Sequence, residues 1–413
     1  MNRIKTGFLL ASSVLVTTMS TAQNNLPAGW RGHLVRKDGK EVIFIIEVST
    51  KKGQPIFNII NAKEKITVNN IIFSGDSIFF EMPAFESSFR VKKQTDGSLR
   101  GTMTKGTSGD FQYWGFYAEP NQLQRFLPDK GTSKYNISGR WDVSITRANG
   151  TVRKAVAEFV QQKDKLTGTF LTPSGDYRYL DGIVTGDSLK LTAFDGSHIY
   201  LFTAKIDNDA AISGGSFYSG FSGTESWIAE KNAAVKTPVQ DLPASLKENE
   251  TRLNFTFNDI DGKPVSISDD RFKNKVVIVQ ILGSWCPNCL DETKFLSDYY
   301  NKNKHRGVEV VGLAYEYSTN LERSKKSIRK FQQLFNVQYP ILITGVTASD
   351  EQKTEKTLPQ LTPIRSFPTT IFIDKKGNVR KVKSDFYGPG AGKEYEVFKK
   401  EFFETVEKLM AGK

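Results

Sequence analysis

Val276-Val277-Ile278-Val279-Gln280-Ile281-Leu282 runs without a break into Gly283-Ser284-Trp285-Cys286-Pro287-Asn288-Cys289. The first seven residues, all apolar except Gln280, describe a strand buried on both faces, as in a sheet covered on each side. Beyond them Leu290, Phe295, Leu296 and Tyr299 recur at helical spacing. The first cysteine therefore stands where a buried strand gives way to a helix. Unpaired backbone N–H groups and the helix dipole favour an anion there, which lowers a thiol pKa and makes the sulfur nucleophilic near neutral pH. The second cysteine follows three residues later, on the same helix face, close enough to attack a mixed disulfide. Pro287 suits the first turn, where its missing N–H costs nothing.

These are the only 2 cysteines in 413 residues. A structural zinc site needs about four ligands, and neither a second Cys-x-x-Cys nor a His pair exists. A copper carrier needs His or Met nearby, and only His305 approaches, near the far end of the helix. As a staple, a disulfide between residues three apart closes too short a loop to stabilise much. A redox-active dithiol is the reading carried forward, with no metal and no cofactor expected.

Trp285-Cys286-Pro287-Asn288-Cys289 resembles the active site of the thioredoxin fold, specifically that of the exported TlpA/ResA-like thiol–disulfide oxidoreductases. The resemblance covers residues 250–413. Phe255-Thr256-Phe257-Asn258-Asp259 and Asp261-Gly262-Lys263-Pro264-Val265 are similar to the family's first strand and loop. Val308-Glu309-Val310-Val311-Gly312-Leu313 is similar to the next sheet strand. Phe367-Pro368-Thr369-Thr370-Ile371-Phe372-Ile373-Asp374 resembles the strand that opens on a cis-proline beside the cysteines. Lys375-Lys376-Gly377-Asn378 then turns a hairpin into 379–382, and a final helix is expected over 393–410.

The resemblance implies roles for several residues. Trp285 lies over the active-site surface, and Trp285, Pro287, Phe367 and Pro368 contact the substrate. The cis bond at Pro368 offers the Phe367 backbone to a peptide as an added strand. Thioredoxin carries a buried acid six residues before its first cysteine, where this chain has Gln280, which cannot titrate. The ResA-like proteins carry an acid six residues after it, and that position is Glu292. Three residues beyond Cys289, Glu292 shares its helix face and is the expected proton acceptor for the resolving thiol. The family often has proline immediately before the second cysteine, where this chain has Asn288. The intervening pair tunes the reduction potential, so the net direction of electron flow stays open. The family's usual task is reduction of protein disulfides, with electrons from a membrane-bound donor.

Around this core, residues 316–340 read as a helix with a charged outer face, from Leu321, Ser324, Ile328, Phe331 and Phe335 among Lys and Arg. Residues 345–366 read as a loop near the cis-proline. Residues 232–250, with Pro238 and Pro243 and no apolar periodicity, read as a linker to a 251–413 thioredoxin-like domain.

Upstream the pattern changes to short alternating segments between turn signals, such as Val42-Ile43-Phe44-Ile45-Ile46 and Ser77-Ile78-Phe79-Phe80-Glu81. Trp30, Gly75, Gly101 and Trp114 are echoed by Trp141, Gly186, Gly214 and Trp227 at a nearly constant offset. Residues 23–125 and 136–231 are therefore expected to be tandem antiparallel all-β meanders, closed or nearly closed into barrels, because closure removes exposed strand edges. The four tryptophans are expected in their cores. The repeats also offer a surface for a partner or ligand. The fold class is multidomain: two β repeats followed by an α/β thioredoxin fold.

Residues 1–22 combine Arg3 and Lys5, a short apolar stretch and Ser20-Thr21-Ala22, the pattern of a secretory signal cleaved after Ala22. The expected location is the periplasm. Net charge is +12, spread over both halves of the chain, with no basic tail and no nucleic-acid footprint. Alternative functions are a peroxide-reducing redoxin, for which Arg365 is the available arginine, a disulfide oxidase or isomerase, and a binding protein that uses the β repeats with an accessory redox domain.

Overall fold

The computed structural model describes residues 26–412; the expected signal segment, residues 1–22, lies outside them. The N-terminal half consists of two antiparallel sheets, and the C-terminal part of one mixed sheet with helices.

In the first β module the chain meanders from Gly29–Val35 to Phe111–Pro120, and the last strand returns to pair with the first. The terminal strands of this sheet are Glu64–Val68 and Ile71–Ser74. The second module runs from Gly139–Thr146 to Gly223–Lys231 and closes on itself, because Val152–Gln162 pairs with both Gly139–Thr146 and Lys165–Thr172. Alternation explains which face of each sheet is buried. Trp141, Val143 and Ile145 are buried while Arg140, Asp142 and Ser144 between them are more exposed. Trp30, Trp114, Trp141 and Trp227 are all fully buried. Two of them anchor through their indole N–H, Trp30 to the Gly97 carbonyl and Trp141 to that of Ile137, each at 2.9 Å.

The modules are not independent. Phe194, Ile199 and Leu201 of the second pack into the core of the first, and the Phe44 and Phe194 rings lie 4.4 Å apart. Between them, buried Arg125 donates to the Ile43 carbonyl and the Thr192 hydroxyl, both at 2.9 Å.

The C-terminal sheet has the order Pro264–Ser266, Thr256–Asp259, Ile341–Ile343, Val308–Ala314, Val276–Leu282, Thr369–Ile373, Val379–Lys383. Val276–Leu282 is an interior strand, parallel to Val308–Ala314 and antiparallel to Thr369–Ile373. Its unbroken apolar run has a direct explanation. Val276 and Ile278 join the core beneath the helices Pro287–Asn303 and Lys393–Met410. Val277, Val279 and Ile281 point the other way, into a second core with Leu253, Phe272, Leu358 and Leu361.

Two segments are held more closely than a local pattern shows. In residues 232–250 Lys247 N–H donates to the Gln360 carbonyl at 2.8 Å and Ser245 N–H to the Thr362 hydroxyl at 2.9 Å, with Ala244 buried. Extended backbone without apolar periodicity finds its partners across the domain surface, which no local pattern reveals. The charged face of helix Leu321–Phe335 is not simply solvated either. Arg323 forms an ion pair with Glu86 at 2.5 Å and Lys330 one with Glu81 at 2.9 Å, while the Phe331 and Phe85 rings meet at 6.3 Å. The helix is a seam between the first β module and the C-terminal domain.

Candidate active site

Cys286 caps helix Pro287–Asn303 with extended backbone, φ −98° and ψ 117°. Its sulfur accepts the Cys289 N–H at 3.3 Å, so a thiolate there is held by one of the helix's unpaired donors. On its other side the Cys286 thiol donates to the Phe367 carbonyl at 3.5 Å, and the Phe367–Pro368 bond is cis. Cys286 is 6% exposed and Cys289 0%. Burial, then the neighbouring Cys286, pushes the Cys289 thiol well above its ordinary range. The pair is thus divided into one sulfur at the helix mouth and one inside.

The turn before the cysteines is rigidly held. Ser284 gives its backbone N–H (2.9 Å) and its hydroxyl (2.5 Å) to the Glu316 carboxylate, which burial pushes up to about 7. The Trp285 indole N–H donates to the Tyr315 carbonyl at 2.9 Å. Its ring stacks on Tyr317 at 5.0 Å and meets the Phe367 ring edge at 5.4 Å. Gly283 is required by this packing, because a Cβ there would lie 2.2 Å from the indole nitrogen.

Glu292 is buried on the inner face of the dithiol helix. The Thr370 hydroxyl donates to one of its oxygens at 2.6 Å and the Gln280 amide to the other at 2.9 Å. Thr293 donates in turn to the Gln280 carbonyl oxygen at 3.2 Å. Burial outweighs these bonds and pushes the carboxyl up to about 7. Gln280, on strand Val276–Leu282, and Glu292, on the helix, therefore belong to one network. The position where thioredoxin carries its acid supports the acid supplied from the other position.

This burial has a stability consequence. At low pH Glu292 is protonated in both folded and unfolded chains. As pH rises past its usual value of 4.5 the unfolded chain ionises first, so folding loses ground until pH passes about 7. The loss is on the order of 3 kcal/mol. Glu292→Gln is expected to remove most of this component, read as a smaller fall in melting temperature between pH 5 and pH 8 than in wild type. An equal fall in both proteins would contradict the burial of a titrating carboxyl.

Of the residues expected at the site, Cys286, Cys289, Glu292, Trp285, Phe367 and Pro368 converge. Pro287 and Pro368 are buried, so the face is more enclosed than an open substrate surface. The second β module also reaches this region: the Ser197 hydroxyl donates to the Trp285 carbonyl at 2.9 Å, and Arg178 pairs with Asp291 at 2.9 Å. Arg365, the arginine of the peroxidase alternative, is exposed and donates to the Leu242 carbonyl at 3.4 Å. Sequence reasoning missed Glu316, Tyr317, Arg178 and Ser197. Only Glu316 left a trace, as a lone acid just past the apolar strand Val308–Ala314.

Residues 247–394 match the family model described as Redoxin. Among curated relatives, the thiol-disulfide oxidoreductase ResA of Bacillus subtilis is 28% identical over 138 residues, covering 33% of this chain and 68% of the relative. ResA of Geobacillus kaustophilus is 29% identical over 132 residues, covering 32% of this chain and 66% of the relative. The chain thus spans about two thirds of the length of these relatives. Similar solved structures include a thiol:disulfide interchange protein of the thioredoxin family from Chlorobium tepidum, at 21% identity and TM-score 0.30, covering 40% of this chain and 99% of that one. Another is a putative protein disulfide isomerase from Bacteroides thetaiotaomicron, at 20% identity and TM-score 0.31, covering 42% and 95%. The part of the chain that carries the dithiol, residues 247–394, is a Redoxin domain.

Proposed function

We propose that the chain is an exported thiol–disulfide oxidoreductase that reduces protein disulfides through Cys286 and Cys289. The observation that supports it best is the unequal placement of the sulfurs, one capping a helix N-terminus and one fully buried behind it. The Cys286 thiolate attacks one sulfur of a substrate disulfide; an S–S bond forms to Cys286 and the other substrate sulfur leaves as a thiolate. Cys289 gives its proton to Glu292 and attacks Cys286. The substrate's second thiolate leaves, and the Cys286–Cys289 disulfide remains, two electrons having passed to the substrate. A membrane-bound dithiol donor returns the pair to its reduced form. Residues 1–22 serve as the export signal, and the two β modules read as copies of one unit.

Reduction of insulin and of the small disulfide DTNB by wild type against Cys286→Ser tests the assignment: wild type reduces and the variant does not, and equal rates on both substrates would sink it. The reduction potential of the pair decides direction, a value near that of thioredoxin supporting a reductant and one near DsbA an oxidase. Glu292 gives a further handle. With its carboxyl near 7, the wild-type rate rises as pH passes that value. Glu292→Gln is expected to flatten that limb and lower turnover about 10²-fold, the usual contribution of a positioned proton acceptor. A variant with the wild-type pH profile would remove Glu292 from this role.

A further inference from the structure

The face that carries the dithiol is occupied by the protein's own second β module. The hairpin that includes Gly175–Asp176 reaches the C-terminal domain, where Gly175 bridges Phe386 and packs on Asn288, the residue between Pro287 and Cys289. A Cβ on Gly175 would lie 2.1 Å from the Asn288 amide nitrogen and 2.8 Å from the Phe386 carbonyl, so this fit depends on glycine. Asp176 accepts the Gly388 N–H at 2.6 Å. The loop between strands Ser188–Phe194 and Ile199–Asn208 sets Ser197 on the Trp285 carbonyl. That loop is itself braced by Asp195, which accepts the Ser197 and His198 N–H groups at 2.9 and 2.7 Å.

Arg178 holds these pieces together. Its guanidinium pairs with Glu64 of the first module at 2.5 Å, Asp195 of the second at 3.0 Å and Asp291 of the dithiol helix at 2.9 Å. Arg178 is 4% exposed, and its backbone lies in the left-handed region at φ 56°, a conformation that a non-glycine residue keeps only when its surroundings impose it. Asp291 is two residues beyond Cys289. One planar cation thus joins all three units at the first turns of the dithiol helix.

We propose that the second β module is a wall of the redox site that sets substrate size. Closed by Arg178 and the Gly175–Asn288 contact, it admits small disulfides to Cys286 and keeps protein disulfides out until it swings away. This rests on the oxidoreductase reading and deepens it: Arg178 and Gly175 are positioning residues that act on access, not on the chemistry of the sulfurs. A purely structural role for them would change both substrate sizes alike.

The test compares reduced full-length wild type, Arg178→Met, Gly175→Ala and Cys286→Ser on insulin and on the small aromatic disulfide DTNB. Arg178→Met removes the charge and Gly175→Ala wedges the contact without altering charge, so failure of one variant to fold leaves the other. Each opening variant is expected to raise the insulin-to-DTNB rate ratio about tenfold, a modest shift in a closed–open balance. An unchanged ratio in the folded variants overturns the proposal and leaves the dithiol reading intact. DTNB reduction by wild type no faster than by Cys286→Ser overturns the oxidoreductase reading itself. Wild type alone supplies a check that needs no opening variant: Cys286 is expected to react with iodoacetamide and to resist a polymer-linked maleimide, and equal labelling by both contradicts the closed wall.

Discussion

Cys289→Ser is expected to stop the reaction after its first bond exchange, leaving the substrate covalently attached to Cys286. Turnover should fall by on the order of 10³ or more, since the two thiols act as one reacting unit. The adduct should appear as a mass increase equal to one substrate chain, and dithiothreitol should release it. The reason is the asymmetry of the pair. The buried Cys289 cannot meet an incoming disulfide, whereas Cys286 accepts a helix N–H and lies at the mouth. Cys286→Ser should form no adduct. An adduct in Cys286→Ser but not in Cys289→Ser would reverse the assignment of roles.

The largest stability effect is expected at Trp227→Ala. Trp227 is fully buried in the second barrel, edge-on to Phe170 at 5.5 Å and near Phe202 at 6.2 Å. Removing a ring from that position leaves a cavity that antiparallel ladders on both sides keep from collapsing, at a cost of about 3–5 kcal/mol. Urea unfolding followed by circular dichroism measures it, and a loss below about 1 kcal/mol would contradict the packing. Trp227→Phe is expected to cost much less, because the indole N–H has no hydrogen-bond partner and its loss relieves an unsatisfied donor.

Much of the C-terminal domain was legible in order along the chain. The run 276–282 can be apolar at every position but Gln280 only if both faces are covered, and cores on both sides of it do cover it. The helix at 393–410 was expected from the resemblance, and Lys393–Met410 is that helix. Glu292 was marked by the resemblance to the ResA-like proteins, yet its partners Gln280 and Thr370 come from two neighbouring strands. Which residues meet across strands depends on register, and register is set by the whole sheet.

By itself the sequence determined the single Cys-x-x-Cys pair, its place at a strand-to-helix junction and the alternating strands of the β modules. Those are consequences of neighbours within one or two turns. Only the tertiary structure decided that the second module covers the dithiol, that Arg178 joins Glu64, Asp195 and Asp291, and that Glu316 braces Ser284. Arg178 and Asp291 are more than a hundred residues apart, each an ordinary charge on an ordinary segment. Only when both lose water at the same place does the pairing become the cheapest way to bury either one.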